Sequence, residues 1–159
     1  MGGHRDGVVA MLTFQEPDHT ATDRLVSIEG SAWHDLGEVK GQVQDACATD
    51  DAAYVLIRDT VGADILTSHT SWSLTEYPFG QEAPRPLALP DLSARIGGAG
   101  VQFGCLPTGP IVASTDPGGT GFVAHRFVDR WDPVDVGLTA GDNEVVSHIT
   151  SGSLGAVLA

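Results

Sequence analysis

At 159 residues the chain has room for one domain, or one domain with an extension, and its 42% hydrophobic content is that of a folded protein. Fifteen Asp and six Glu stand against seven Arg and one lysine, Lys40, for a formal charge of −13. These scattered cations cannot make the basic surface that phosphate recognition demands, so no nucleic-acid partner is expected. No apolar run reaches the roughly 18 residues of a bilayer span, so no membrane partner is expected either.

In chain order, Met1-Gly2-Gly3-His4-Arg5-Asp6 has neither a signal peptide's basic region and long apolar stretch nor the Ser or Thr of a myristoylation site. A soluble chain made in the cytoplasm is expected. Val8 to Phe14 and Arg24 to Glu29 read as strands. Leu36, Val39, Val43 and Cys47 then recur at helical spacing, and Asp35 with Glu38 fits a capping box, which predicts one short helix. Gly37 and Gly41 weigh against it, and Val39, Gly41 and Val43 also fit a strand. Tyr54 to Arg58, Ala63 to Thr67 and Thr70 to Tyr77 follow as strands, the last with Trp72 and Leu74 on one face and Ser71, Ser73 and Thr75 on the other, wetted one.

Prolines at 78, 84, 86 and 90 bar residues 78–92 from the middle of a sheet or helix, because each removes a backbone donor and fixes φ. The segment reads as an arm or connection between a β-rich first half, 1–77, and a β-rich second half, 93–159. Phe79, Leu87, Leu89 and Leu92 make it more apolar than a plain linker. Beyond it, Val101 to Cys105, Pro110 to Ser114, Gly121 to Val128 and Glu144 to Thr150 are further strands, and twenty glycines and nine prolines punctuate the chain. The expected fold is mainly β: an antiparallel β-sandwich or barrel with at most one short helix and a Pro-rich arm.

Residues able to do chemistry are present, but nothing arranges them. The histidines, His4, His19, His34, His69, His125 and His148, show no metal-ligand spacing; His125 and His148 on strands could converge with Asp129 or Asp142, but all six read first as surface or structurally hydrogen-bonded histidines. Asp142-Asn143-Glu144 offers oxygen ligands without a full calcium loop. No Gly-x-Ser-x-Gly elbow exists, and Ser114-Thr115-Asp116 and Ser151-Gly152-Ser153 read as turns. Gly97-Gly98-Ala99-Gly100 and Pro117-Gly118-Gly119-Thr120-Gly121 lack the residues of a phosphate loop. No catalytic residue and no cofactor is therefore assigned. Cys47 and Cys105 have no CxxC spacing and read first as buried thiols, with a single disulfide or a reactive thiol as the open alternatives. Trp33, Trp72, Trp131, Phe103, Phe122 and Phe127 are the natural core or interface anchors. Trp131, flanked by charges and a turn in Arg130-Trp131-Asp132-Pro133, is the best candidate for a contact residue, joined by Phe79, Leu87 and Leu89 on the arm.

Two resemblances direct the functional expectation. In composition, with Lys, Arg and Asn all scarce and Asp in excess of Glu, the chain resembles proteins of salt-accumulating haloarchaea and their viruses, whose surface carboxylates are screened by multimolar cations. The run Val134-Asp135-Val136-Gly137-Leu138-Thr139-Ala140-Gly141-Asp142, continued by Glu144-Val145-Val146-Ser147-His148-Ile149 and Gly152, resembles the strand, Ala-Gly-Asp turn, strand and glycine pattern of small β-rich head-decoration proteins of tailed viruses. It covers about a fifth of the chain and implies no catalytic residues. What it implies is a virion structural protein, a capsid decoration or other head or tail component, self-associating as a homo-oligomer and packing on a shell or tail protein. The apolar terminus Leu154-Gly155-Ala156-Val157-Leu158-Ala159 is expected to dock on its own domain or another subunit. The alternatives are a small β-barrel binding protein or cyclase-like enzyme with a pocket lined by Trp and Phe, and a cytoplasmic haloarchaeal protein with a regulatory partner.

Overall fold

The structure is a computed structural model that describes residues 7–15, 17, 21–61, 69–80, 82–90, 101–115, 121–135, 149–152 and 155–158. Every regular element among these is a strand. β1 (Gly7–Gln15), β2 (Ala21–Glu29) and β3 (Ala32–Val39) form one sheet in that order. β4 (Gln42–Ala48), β5 (Ala52–Val61), β6 (His69–Pro78) and β7 (Arg85–Leu87) form a second. β8 (Gln102–Leu106), β9 (Gly109–Thr115), β10 (Gly121–Phe127) and β11 (Arg130–Pro133) form a third, ordered β11-β10-β9-β8. β12 (Ile149–Gly152) and β13 (Gly155–Leu158) pair as a hairpin that packs against β8. The sheets are antiparallel and none closes into a barrel, so the mainly-β expectation holds in its sandwich form.

The chain divides into two compact units, Met1–Gln44 with Asp50–Leu87, and Asp45–Thr49 with Ala88–Ala159. In the first, Leu25 and Val39 of one sheet meet Ala53, Val55, Ile57 and Tyr77 of the next in a dry cluster, with Val9, Leu36, Val43 and Phe79 at its rim. Alternation explains which residues enter: Ala53, Val55 and Ile57 project from one face of β5. The other face, Tyr54 and Leu56 with Leu74 opposite Leu56, is buried too, so β5 reads as an unbroken apolar run. In the second unit Val101, Phe103, Ile111, Val112, Ala113, Val123 and Ala124 are buried.

The helix expected around residues 35–47 is absent; those residues form β3, a tight turn and β4. Gly37 (φ +132°) and Gly41 (φ +103°) lie outside helical backbone space, and a Cβ on Gly41 would stand 2.6 Å from Ile57 Cγ2. The helical spacing has a different origin. Leu36 is the extra residue of a β-bulge, since Leu25 faces Gly37 while Val26 faces Asp35. The bulge shifts the strand's alternation by one residue, and Val39 and Val43 are an even number of residues apart, so Leu36, Val39 and Val43 all reach one core. Asp35 does accept a backbone N–H, from Gly37 at 2.9 Å, but it holds the bulge and not a helix start.

The thiol expectation also fails: Cys47 and Cys105 form a disulfide, with Cα atoms 5.6 Å apart, tying β4 to β8. The Pro-rich segment contributes β7, a three-residue edge strand whose Pro86 lies opposite Thr75, as a proline confined to sheet edges requires. Arg85 locks it to β6 with a two-pronged contact on Glu76, Nε to Oε2 at 2.6 Å and Nη2 to Oε1 at 3.3 Å. The strand expected at Ala63 to Thr67 and most of that at Glu144 to Thr150 lie outside the described residues.

Candidate functional site

The β1-β2-β3 sheet has two faces of unequal dryness. Val9, Leu25 and Val39 project from the inner one. On the outer one the register places Leu12 beside Arg24, Ala10 beside Val26, and Ile28 beside Trp33. Residues opposite one another share a face, so Ala10, Leu12, Phe14, Val26, Ile28 and Trp33 lie on one face together with Arg24, Asp35 and Glu38. Val26 at its centre is fully buried, whereas Trp33 is 56% exposed and Leu12 and Phe14 are each 39% exposed. The two-residue turn Gly30-Ser31 holds Trp33 close to the end of its hairpin, and Gly30 takes the left-handed φ of +59° that the turn needs. One ion pair crosses the face, Arg24 Nη2 to Asp35 Oδ2 at 2.5 Å. No carboxylate side chain among the described residues is buried.

The second unit carries a smaller apolar feature at the β10–β11 turn. Phe127 pairs with Arg130 across the two-residue turn Val128-Asp129. Val128 has φ of 60° and is 77% exposed, and Phe127 beside it is 50% exposed. A left-handed conformation costs a Cβ-bearing residue about 1–2 kcal/mol, and a β-branched one is a genuine outlier there. Below the tip, His125 sits opposite Asp132, its Nε2 3.1 Å from Thr108 Oγ1 and its ring 6.4 Å from that of Phe127. Partial burial holds the His125 imidazole below its usual range, against the opposing pull of the Asp132 charge. Gly109 lies beside it, where a Cβ would collide with the backbone carbonyl of Arg126.

These groups make hydrogen bonds and packing contacts with one another. Among the described residues no three His, Cys, Asp or Glu side chains converge as metal ligands. His148, Asp142, Asn143 and Glu144 lie outside the described residues, as do His4, His19, Asp116, Ser153 and the glycines of 97–100 and 117–120. His34 is exposed on β3.

Trp131 is half-buried on β11 and donates its indole N–H to the Ala88 carbonyl at 2.7 Å, fastening the start of the second unit's long segment. Phe79 packs on the first unit's core, its N–H donated to the Asp51 carbonyl at 2.9 Å. Leu87 and Leu89 are half-buried. Of the other anchors, Phe103 is buried, Trp72 is half-buried, and Trp33 and Phe127 are exposed; the Phe122 side chain lies outside what is described. The sequence alone does not group Leu12, Phe14 and Trp33, because only the β1-β2-β3 register brings them to one face. Comparison with known proteins returns no matching family model, no matching curated relative and no matching solved structure.

Proposed function

We propose that the protein is a structural component of a tailed-virus particle from a halophilic host, a head-decoration protein or another head or tail component. It works by burying apolar anchors between subunits while its carboxylates face brine. The observation that carries this reading is the exposure of Leu12, Phe14 and Trp33 on one face of the β1-β2-β3 sheet, in a protein whose described elements are all strands and whose described carboxylates all reach solvent. Fully burying a Leu or Phe contributes about 1.5–3 kcal/mol, so a few such anchors suffice for a subunit contact. The Cys47–Cys105 disulfide supports the same reading, since disulfides persist in oxidising surroundings such as virion surfaces and are rare in reducing cytoplasm. The test is mass spectrometry of purified tailed-virus particles from halophilic hosts. Peptides of this chain at a copy number comparable to the shell or tail protein are expected, and their absence from every particle contradicts the reading.

A further inference from the structure

Sheet edges are where a β-protein invites or refuses a further strand, and natural edges refuse by being short, charged, proline-bearing, bulged or covered. The six edge strands of the three larger sheets differ sharply in this respect. β3 carries Asp35, Glu38 and the bulge at Leu36. β4 carries Asp45 and is tied by its disulfide. β7 has three residues, including Arg85 and Pro86, and β11 has four, including Arg130, Asp132 and Pro133. β8 has five and is covered by the β12–β13 hairpin. β1 has none of these protections: nine residues, GVVAMLTFQ, without a charge or a proline, in unbroken register from Gly7↔Glu29 to Gln15↔Ala21. Among the described residues it pairs with β2 alone.

We infer that β1 is the strand-addition interface of this protein and that its occupant is β1 of a second copy, paired antiparallel about a two-fold axis near Met11. The inference rests on the assembly reading above. Charge selects the occupant: on a chain of −13, an uncharged strand is where two copies meet with least repulsion, while β3, β4, β7 and β11 would bring charges or prolines into the ladder and β8 is covered by the β12–β13 hairpin. The pattern is self-complementary as well. An axis at Met11 sets Val9 opposite Thr13 and Ala10 opposite Leu12 of the second copy, β-branched against β-branched and apolar against apolar. Alternate residues of β1 point their N–H and C=O groups away from β2, so the new ladder satisfies about four residues' worth of open backbone. The result is a six-stranded sheet, β3-β2-β1 continued by β1-β2-β3, in which the two copies' Leu12 and Phe14 lie on one continuous face. A two-fold pairing closes on itself and leaves that face free for a shell or tail protein.

The test is light scattering after size exclusion in multimolar KCl, on the wild type, Met11→Lys and Met11→Leu, with hydrogen exchange of the wild-type β1 amides. Met11 is 45% exposed, so the lysine is accommodated in a single copy, but at the axis it sets like charges directly opposite. Expected are a wild-type dimer, a Met11→Leu dimer, and a Met11→Lys monomer with unchanged circular dichroism and self-association weakened at least tenfold. The outward amides of β1 gain protection in the wild-type dimer, a readout that stands even where Met11→Lys fails to fold. A Met11→Lys dimer as tight as the wild type, or outward β1 amides that exchange fast in a wild-type dimer, overturns the β1 interface. Neither result bears on whether the chain is found in particles, which the mass spectrometry decides separately.

Discussion

Val128 is where a single residue departs furthest from what its chemistry favours. A valine with φ of 60° that leaves 77% of its surface in solvent gains little from packing and carries the steric cost of the left-handed region. Val128→Gly removes the Cβ at the expense of some unfolded-state entropy, and we expect it to raise stability by about 1 kcal/mol, read as a Tm increase of about 3 °C for a chain of this size. An unchanged or lower Tm would mean that the turn is not strained. His125 makes a pH prediction. Its folded pKa lies below the unfolded value of about 6.5, so the unfolded chain binds more protons in the window just below that value. Its contribution to stability is therefore present above the unfolded pKa and diminishes as pH falls toward the folded pKa. The Tm should drop between pH 7.5 and pH 5.5 by less in His125→Gln than in the wild type, and equal drops would refute this assignment. Tyr77 is the third case: buried, with its hydroxyl donated to the Glu38 carbonyl at 3.1 Å and held above its usual range by burial and then by the Glu38 charge. Tyr77→Phe should cost about 1 kcal/mol in a chemical-denaturation experiment.

At the scale of elements, the disulfide dominates. Joining residues 58 positions apart removes unfolded-chain entropy equivalent to about 4 kcal/mol in the loop-closure treatment. Reduction, or the Cys47→Ser/Cys105→Ser pair, should lower unfolding stability by that order, and an insensitive denaturation midpoint would show that the bond does not constrain the unfolded chain. The elements also show what a single sequence can express. β1, β2, β5, β6, β8, β9 and β10 were all legible, because Val8 to Phe14, Arg24 to Glu29 and the later runs carry local apolar patterns between turn residues. β3 and β4 were not legible, because the bulge at Leu36 shifts the strand phase by one residue and, followed by the even spacing of Val39, Val43 and Cys47, imitates a helical period. β7 and β11 are three and four residues long, too short for alternation to announce them. The disulfide is a meeting of β4 and β8, distant in sequence, and no spacing rule encodes it. The exposed surface of Leu12, Phe14 and Trp33 was hidden for the same reason: its residues become neighbours only through the pairing of β1, β2 and β3.

For the whole molecule the governing quantity is charge. At −13 the folded chain repels itself, and a Debye length of about 30 Å at 0.01 M salt lets that repulsion act across the protein, whereas at 1 M it shrinks to about 3 Å. Salt should therefore both stabilise the fold and permit two copies to approach. Tm is expected to rise through the molar KCl range, and a flat profile would remove the halophilic part of the account. The proposed assembly runs through the uncharged β1 edge, and light scattering coupled to size exclusion, in dilute buffer and again in multimolar KCl, decides it. A particle of the single-chain mass is expected in dilute buffer, and twice that mass or a multiple of it in high salt; a well-folded monomer in both overturns the proposed assembly.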